Sequence, residues 1–193
     1  MAEVTSTFQL KTGDSAPAFS LPDAEGRQHH LADLAGRKGT LIIFACNHCP
    51  FVVQLAETIG HFAKDISESG ISTLAINSND IARYPADAPE KMPAFADESG
   101  WQFPYLLDED QQVAHAYHAA CTPDFYLFDH DLKLVYAGQF DAARPNNDKP
   151  LTGADLRQAI EALLVGEPPL SPQLPSSGCS IKWKPGNEPS YPA

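Results

Sequence analysis

Two cysteines, Cys46 and Cys49, stand three positions apart in the segment Phe44-Ala45-Cys46-Asn47-His48-Cys49-Pro50-Phe51, with a histidine between them and a proline straight after. Thiols at this spacing can hold a metal, lock a fold, or pass electrons as a dithiol and disulfide pair. A structural zinc site wants four ligands, normally a second such pair or two histidines. The other cysteines, Cys121 and Cys179, are isolated in the chain, and His29-His30 are adjacent, which is the wrong spacing for a ligand pair. That leaves redox chemistry as the favoured reading. A thiol attacks only as thiolate. At a helix N-terminus, unpaired backbone N–H groups and the positive end of the macrodipole favour that anion. Cys46 is read into this position as the attacking sulfur. Cys49, almost one helical turn on and more shielded, is close enough to close a small disulfide. An imidazolium at His48 would stabilise the Cys46 thiolate further and make the pair more oxidising.

These side chains need a strand to deliver them and a helix to receive them. Residues 40–45, "TLIIFA", form a short unbroken apolar run suited to a strand buried on both faces. Phe51, Leu55, Ile59, Phe62 and Ile66 then recur at helical spacing up to Gly70, and Pro50 falls at the helix start, where proline is accepted cheaply. The run "ISTLAI" (71–76) predicts the next strand, parallel to the first because the crossover is right-handed. Sites in such sheets gather at the strands' carboxyl ends, which places Asn77 and Asn79 near the cysteines.

Further along, a helical piece is expected around 90–99, a short strand in "FPYLLDED", a helix over 111–120, and two strands in 124–140 about a turn at Asp129-His130-Asp131. Thr152 with Asp155 reads as a capping box ahead of a last helix. Upstream, residues 16–36 read as a hairpin around Asp23-Ala24-Glu25-Gly26. The expected organisation is an α/β domain over 1–166 and an irregular, proline-rich extension over 167–193 draped on it and anchored by Trp183.

The bulk properties narrow the partners. At 193 residues the chain suits one well-buried domain. With 25 acidic against 13 basic residues the formal charge is -12, which argues against nucleic acid and anionic membrane as partners. No apolar run approaches the roughly 18 residues of a membrane helix. The first residues lack a basic segment followed by an apolar one, so a cytoplasmic location is expected, where cysteines are rarely structural disulfides.

A strand, a C-x-x-C and a helix within a βαβ pattern form a specific combination. With "GDSAPAFSLPDAEG" (13–26) and Thr122-Pro123, it resembles the thioredoxin superfamily, in the redoxin branch related to the peroxiredoxin and thiol-specific-antioxidant proteins, over roughly 10–166. The resemblance implies a thioredoxin fold: a mixed central sheet flanked by helices, with the N-terminal hairpin and the C-terminal tail added to it. It also implies a cis Pro123 facing the dithiol and a Thr122 backbone that pairs with bound substrate. Asn47, inside the motif, is placed with the substrate contacts, and Cys121, beside the implied cis-proline, is a candidate additional thiol. Thioredoxins carry a buried carboxylate on the strand before their cysteines, and "TLIIFA" has none. Peroxiredoxins carry a threonine three residues before the attacking cysteine and an arginine beside it. Cys46 holds the first position here, and Arg144 is the candidate for the second.

The resulting expectation is a thiol–disulfide oxidoreductase. Cys46 attacks a protein or small-molecule disulfide, Cys49 resolves the mixed disulfide, His48 sets the potential, and Pro123 shapes the groove. No organic cofactor or metal is implied, and an external dithiol reductant would recycle the pair. A thiol peroxidase is the alternative enzyme, with Cys49 or Cys46 attacking peroxide. A binding module with a vestigial or zinc-loaded dithiol is the non-catalytic alternative. For Cys179 two readings stay open, a disulfide with Cys121 or a free thiol.

Overall fold

The computed structural model describes residues 3–191. In chain order the elements begin with β1 (Glu3–Thr5), β2 (Ser20–Pro22), β3 (Gln28–His30), α1 (Leu31–Leu34), β4 (Gly39–Phe44), α2 (Pro50–Ser67) and β5 (Ile71–Asn77). There follow α3 (Met92–Glu98), β6 (Tyr105–Leu107), α4 (Gln112–Tyr117), β7 (Cys121–Thr122), β8 (Asp124–Asp129), β9 (Leu134–Gly138), α5 (Ala154–Val165) and β10 (Ser177–Ser180). The main sheet has the order β6-β5-β4-β8-β9, with β4, β5 and β6 parallel and β8 and β9 antiparallel to their neighbours.

All six residues of β4 are buried, as its unbroken apolar run requires. Their side chains alternate between two cores. Leu41 and Ile43 join α2 and α5 on one face, and Ile42 and Phe44 join Leu31, Tyr117 and Trp183 on the other. At about 1.5–3 kcal/mol for each fully buried large apolar side chain, this strand sets the position of everything that follows it. The register pairs Phe44 with Asp124 and with Ile76. The loops after β4 and β5 and the residues before β8 therefore open at one edge of the sheet.

The hairpin forms as β2 and β3 but makes its own two-stranded sheet, touching the main one through a single bridge between Asp23 and Leu106. Two further expectations need correction. The Thr152/Asp155 capping box does not form. Gly153 is the N-cap, at φ 65°, and the Asp141 carboxylate takes the Thr152 and Gly153 N–H groups at 2.7 Å each, while Asp155 accepts from Gln139. The stretch beyond 166 is not irregular throughout: β10 lies between β1 and β7 in a three-stranded antiparallel sheet. Trp183 is buried against His115, with ring centroids 4.5 Å apart.

Candidate active site

α2 begins at Pro50, so its N-cap is Cys49 rather than Cys46. The sequence carried this signal: a proline at the first helical position makes the preceding residue the cap. Cys46 lies in the loop before it, and both cysteines are buried, at 1% and 0% exposure, so the expected contrast of an open and a shielded thiol is absent. The two thiols share one buried cluster. Residues before β8 close the cluster from the far side. The Thr122 hydroxyl lies 3.5 Å from Cys46 Sγ, the Thr122 carbonyl 3.1 Å from Cys49 Sγ, and the Thr122–Pro123 peptide is cis.

The electrostatics reverse the expected roles. Cys49 is held down to about 5, chiefly because the Cys46 thiol donates to its sulfur. Burial opposes this, and Cys179, Thr122 and Val52 lower it further. Together they outweigh burial, with the Thr122 carbonyl 3.1 Å from the sulfur. Cys46 is raised well above the ordinary thiol range by its interaction with Cys49, which favours its protonated form, by burial, and by the negative charge of Asp87. The charge balance thus favours the anion at Cys49 over Cys46.

Asp87 is the residue that sequence reasoning missed. It lies between Pro85 and Pro89, is fully buried, and accepts from the Asn47 N–H at 2.9 Å, from Asn79 Nδ2 at 2.8 Å and from His48 Nδ1 at 2.7 Å. Asn77 Nδ2 donates to the Asp87 carbonyl at 2.8 Å, so both asparagines expected near the site hold this one residue. The site thus has the buried carboxylate that β4 lacks, supplied from a loop. His48, stacked on Tyr84 at 5.6 Å and 7°, is turned toward Asp87. With Nδ1 bonded to a carboxylate, Nε2 is left as the basic nitrogen.

Other expected site residues fall differently. The Asn47 side chain is engaged at both ends, donating to the Ala86 carbonyl and accepting from Tyr105 OH. The Thr122 backbone is paired with Cys179 of β10. Cys121 Sγ turns to the Pro123 carbonyl, 3.5 Å away. The thiol that reaches Cys49 is Cys179, and it does not meet Cys121 in a disulfide. Arg144 lies in a shallow groove with Phe51, Gln54, Pro123 and Ser177, and its guanidinium is bonded to Gln139 and to the Asp141 and Ala143 carbonyls.

Cys46, His48 and Asp87 offer donor atoms within 4.8 Å of one another. To ligate together, His48 and Asp87 would give up the hydrogen bond that orients the imidazole. Among the described residues no helix is long and apolar enough to cross a membrane.

Comparisons with known proteins agree on the chemistry. The AhpC/TSA family model matches residues 12–137, a shorter span than the expected 10–166. A crystal structure of an uncharacterized conserved protein from Geobacillus kaustophilus is 50% identical, with a TM-score of 0.92 over 96% of this chain and 98% of that one. Peroxiredoxin Bcp of Escherichia coli is 32% identical over 108 residues, 56% of this chain and 64% of its own length. Thiol-disulfide oxidoreductase ResA of Geobacillus thermodenitrificans is 27% identical over 161 residues, 82% of each chain. Structures of lower identity share the thioredoxin fold.

Proposed function

We propose, from the premise that the chain belongs to the AhpC/TSA family, that this oxidoreductase exchanges disulfides, with Cys49 as the attacking sulfur and Cys46 as the resolving one. The observation that carries the reading is the buried dithiol at the start of α2, with Cys49 as the N-cap and Thr122 against both sulfurs. In the first step the Cys49 thiolate attacks a substrate disulfide, forming a mixed disulfide and releasing one substrate thiolate. Cys46 then loses its proton, attacks Cys49 Sγ and releases the second substrate thiolate. The Cys46–Cys49 bridge left behind has passed two electrons to the substrate, and an external dithiol restores it. Family relatives support disulfide-containing substrates and thiol reductants in general.

The second step needs a base, because Cys46 holds its proton tightly once buried beside Asp87. A ring nitrogen of His48 lies within 4.8 Å of its sulfur, oriented by that same carboxylate. General-base assistance contributes about 100-fold or more. His48→Ala is therefore expected to lower kcat for disulfide reduction by on the order of a hundred-fold while leaving the alkylation rate of Cys49 nearly unchanged. An equal loss in both would place His48 at the first step.

One observation favours a second reading. The Cys46 thiol donates to Cys49 from the position where a peroxiredoxin has threonine, so the same thiolate could attack a peroxide. Against it, the one candidate arginine is bonded elsewhere. Stopped-flow mixing of the reduced protein with hydrogen peroxide separates the two. Oxidation no faster than that of a free thiol, with insulin disulfides reduced at the same protein concentration, is the expected outcome. Rapid peroxide consumption without insulin reduction would reverse the assignment.

A further inference from the structure

We propose that Cys179 is a third redox thiol of this site, able to form a disulfide with Cys49 in place of Cys46. The placement follows from the strand pairing. Cys179 stands opposite Thr122, and two residues along, the Ile181 N–H donates to the Ala120 carbonyl at 3.0 Å. Residues 179 and 122 share the phase of that hydrogen-bonded pair, and directly opposed residues point to the same face. On that face the Thr122 hydroxyl meets Cys46 Sγ, and the Thr122 carbonyl lies 3.1 Å from Cys49 Sγ. Cys179, buried at 4% exposure, comes down over the same residue and shares one buried cluster with Cys46 and Cys49. Cys121, the next residue on β7, points to the opposite face.

The contact is built into β10. A Cβ on Gly178 would stand 2.1 Å from the Thr122 carbonyl oxygen, closer than any real contact, so only glycine lets the strand approach this far. Its other edge is paired with β1, with Glu3 opposite Cys179. Held from both sides, Cys179 is fixed over the Thr122 that contacts both sulfurs of the dithiol.

The chemistry balances in both routes. From a mixed disulfide at Cys49, Cys179 loses a proton, attacks Cys49 Sγ and expels the substrate thiolate. From the Cys46–Cys49 bridge, Cys179 attacks the same sulfur. The bond to Cys46 breaks, Cys46 leaves as thiolate, and it takes up one proton for the one Cys179 lost, with no net gain or loss of electrons. The oxidised pair then joins α2 to the C-terminal strand, and Cys46 is free again. This depends on the proposed function only in taking Cys49 as redox-active.

The test oxidises reduced Cys46→Ser/Cys121→Ala protein with oxidised glutathione and maps the cysteines by mass spectrometry. The expected product is an intramolecular Cys49–Cys179 disulfide, and adding Cys179→Ser should raise the glutathione retained on Cys49 at least ten-fold. Gly178→Val, which keeps every thiol but displaces β10, should raise it likewise in the Cys46→Ser/Cys121→Ala background. Glutathione retained on Cys49 with Cys179 free overturns the role given to Cys179 and leaves the dithiol reading standing. Cys49 inert here and in the wild-type protein overturns both.

Discussion

Cys49→Ser is expected to reduce insulin-disulfide turnover to the level of the uncatalysed reaction, a loss on the order of a thousand-fold or more, as when other enzymes lose their nucleophile. The reason is local. Cys49 is the N-cap of α2, and Cys46, Cys179, Thr122 and Val52 all act to lower the pKa of its thiol. No other cysteine has this set. Cys46 faces the Asp87 charge, and Cys121 and Cys179 are both raised, first of all by burial. A serine at 49 keeps the shape of the site and removes the only sulfur ionised near neutrality. Cys46→Ser has a different consequence, because attack still occurs and only one resolving partner is lost. Full loss in Cys46→Ser with substantial turnover in Cys49→Ser would invert the assigned roles.

The second large effect is expected on stability. Asp87→Ala removes the acceptor for the Asn47 N–H, Asn79 Nδ2 and His48 Nδ1 in one step, in a region where the carboxylate is fully buried. Breaking such a buried charged cluster from one side costs about 3–5 kcal/mol, since the remaining polar groups stay desolvated and unpaired. In urea, with a slope of roughly 2–3 kcal/mol/M, the midpoint should fall by about 1–2 M. Asp87→Asn separates charge from hydrogen bonding. It keeps a carbonyl oxygen as acceptor, so it should cost less stability, yet it removes the charge that raises Cys46 and so should lower that thiol's pKa. Equal stability losses in both variants would mean that the hydrogen bonds around Asp87 are not what holds the loop.

How far the molecule was legible in its sequence follows from the range of the forces involved. β4 and α2 could be read because a six-residue apolar strand and a proline-initiated amphipathic helix are local patterns, and the thiol spacing lies between them. The identity of the cap was also local, and the reading of Cys46 as the helix-end residue overlooked what Pro50 implies. Asp87 was not legible. It lies 39 residues from His48, in a polar segment with no periodicity, and only the sheet topology brings it to the cysteines. β10 was hidden for another reason. Ser177-Gly178-Cys179-Ser180 has no strand-like alternation of apolar residues, and its burial depends on a glycine's close approach to Thr122. The capping box failed because the Asp141 carboxylate, from the loop after β9, took the Thr152 N–H while Gly153 became the N-cap.

The central claim is that the sulfur of Cys49, not that of Cys46, is ionised at neutral pH. Thiolate absorbance at 240 nm in the reduced protein measures it directly. A step centred near pH 5 is expected in the wild-type protein, with the thiolate fraction rising as pH rises through that value. The step should persist in Cys46→Ser, where the serine hydroxyl still donates, and vanish in Cys49→Ser. A low step that vanishes in Cys46→Ser and survives in Cys49→Ser would contradict the account.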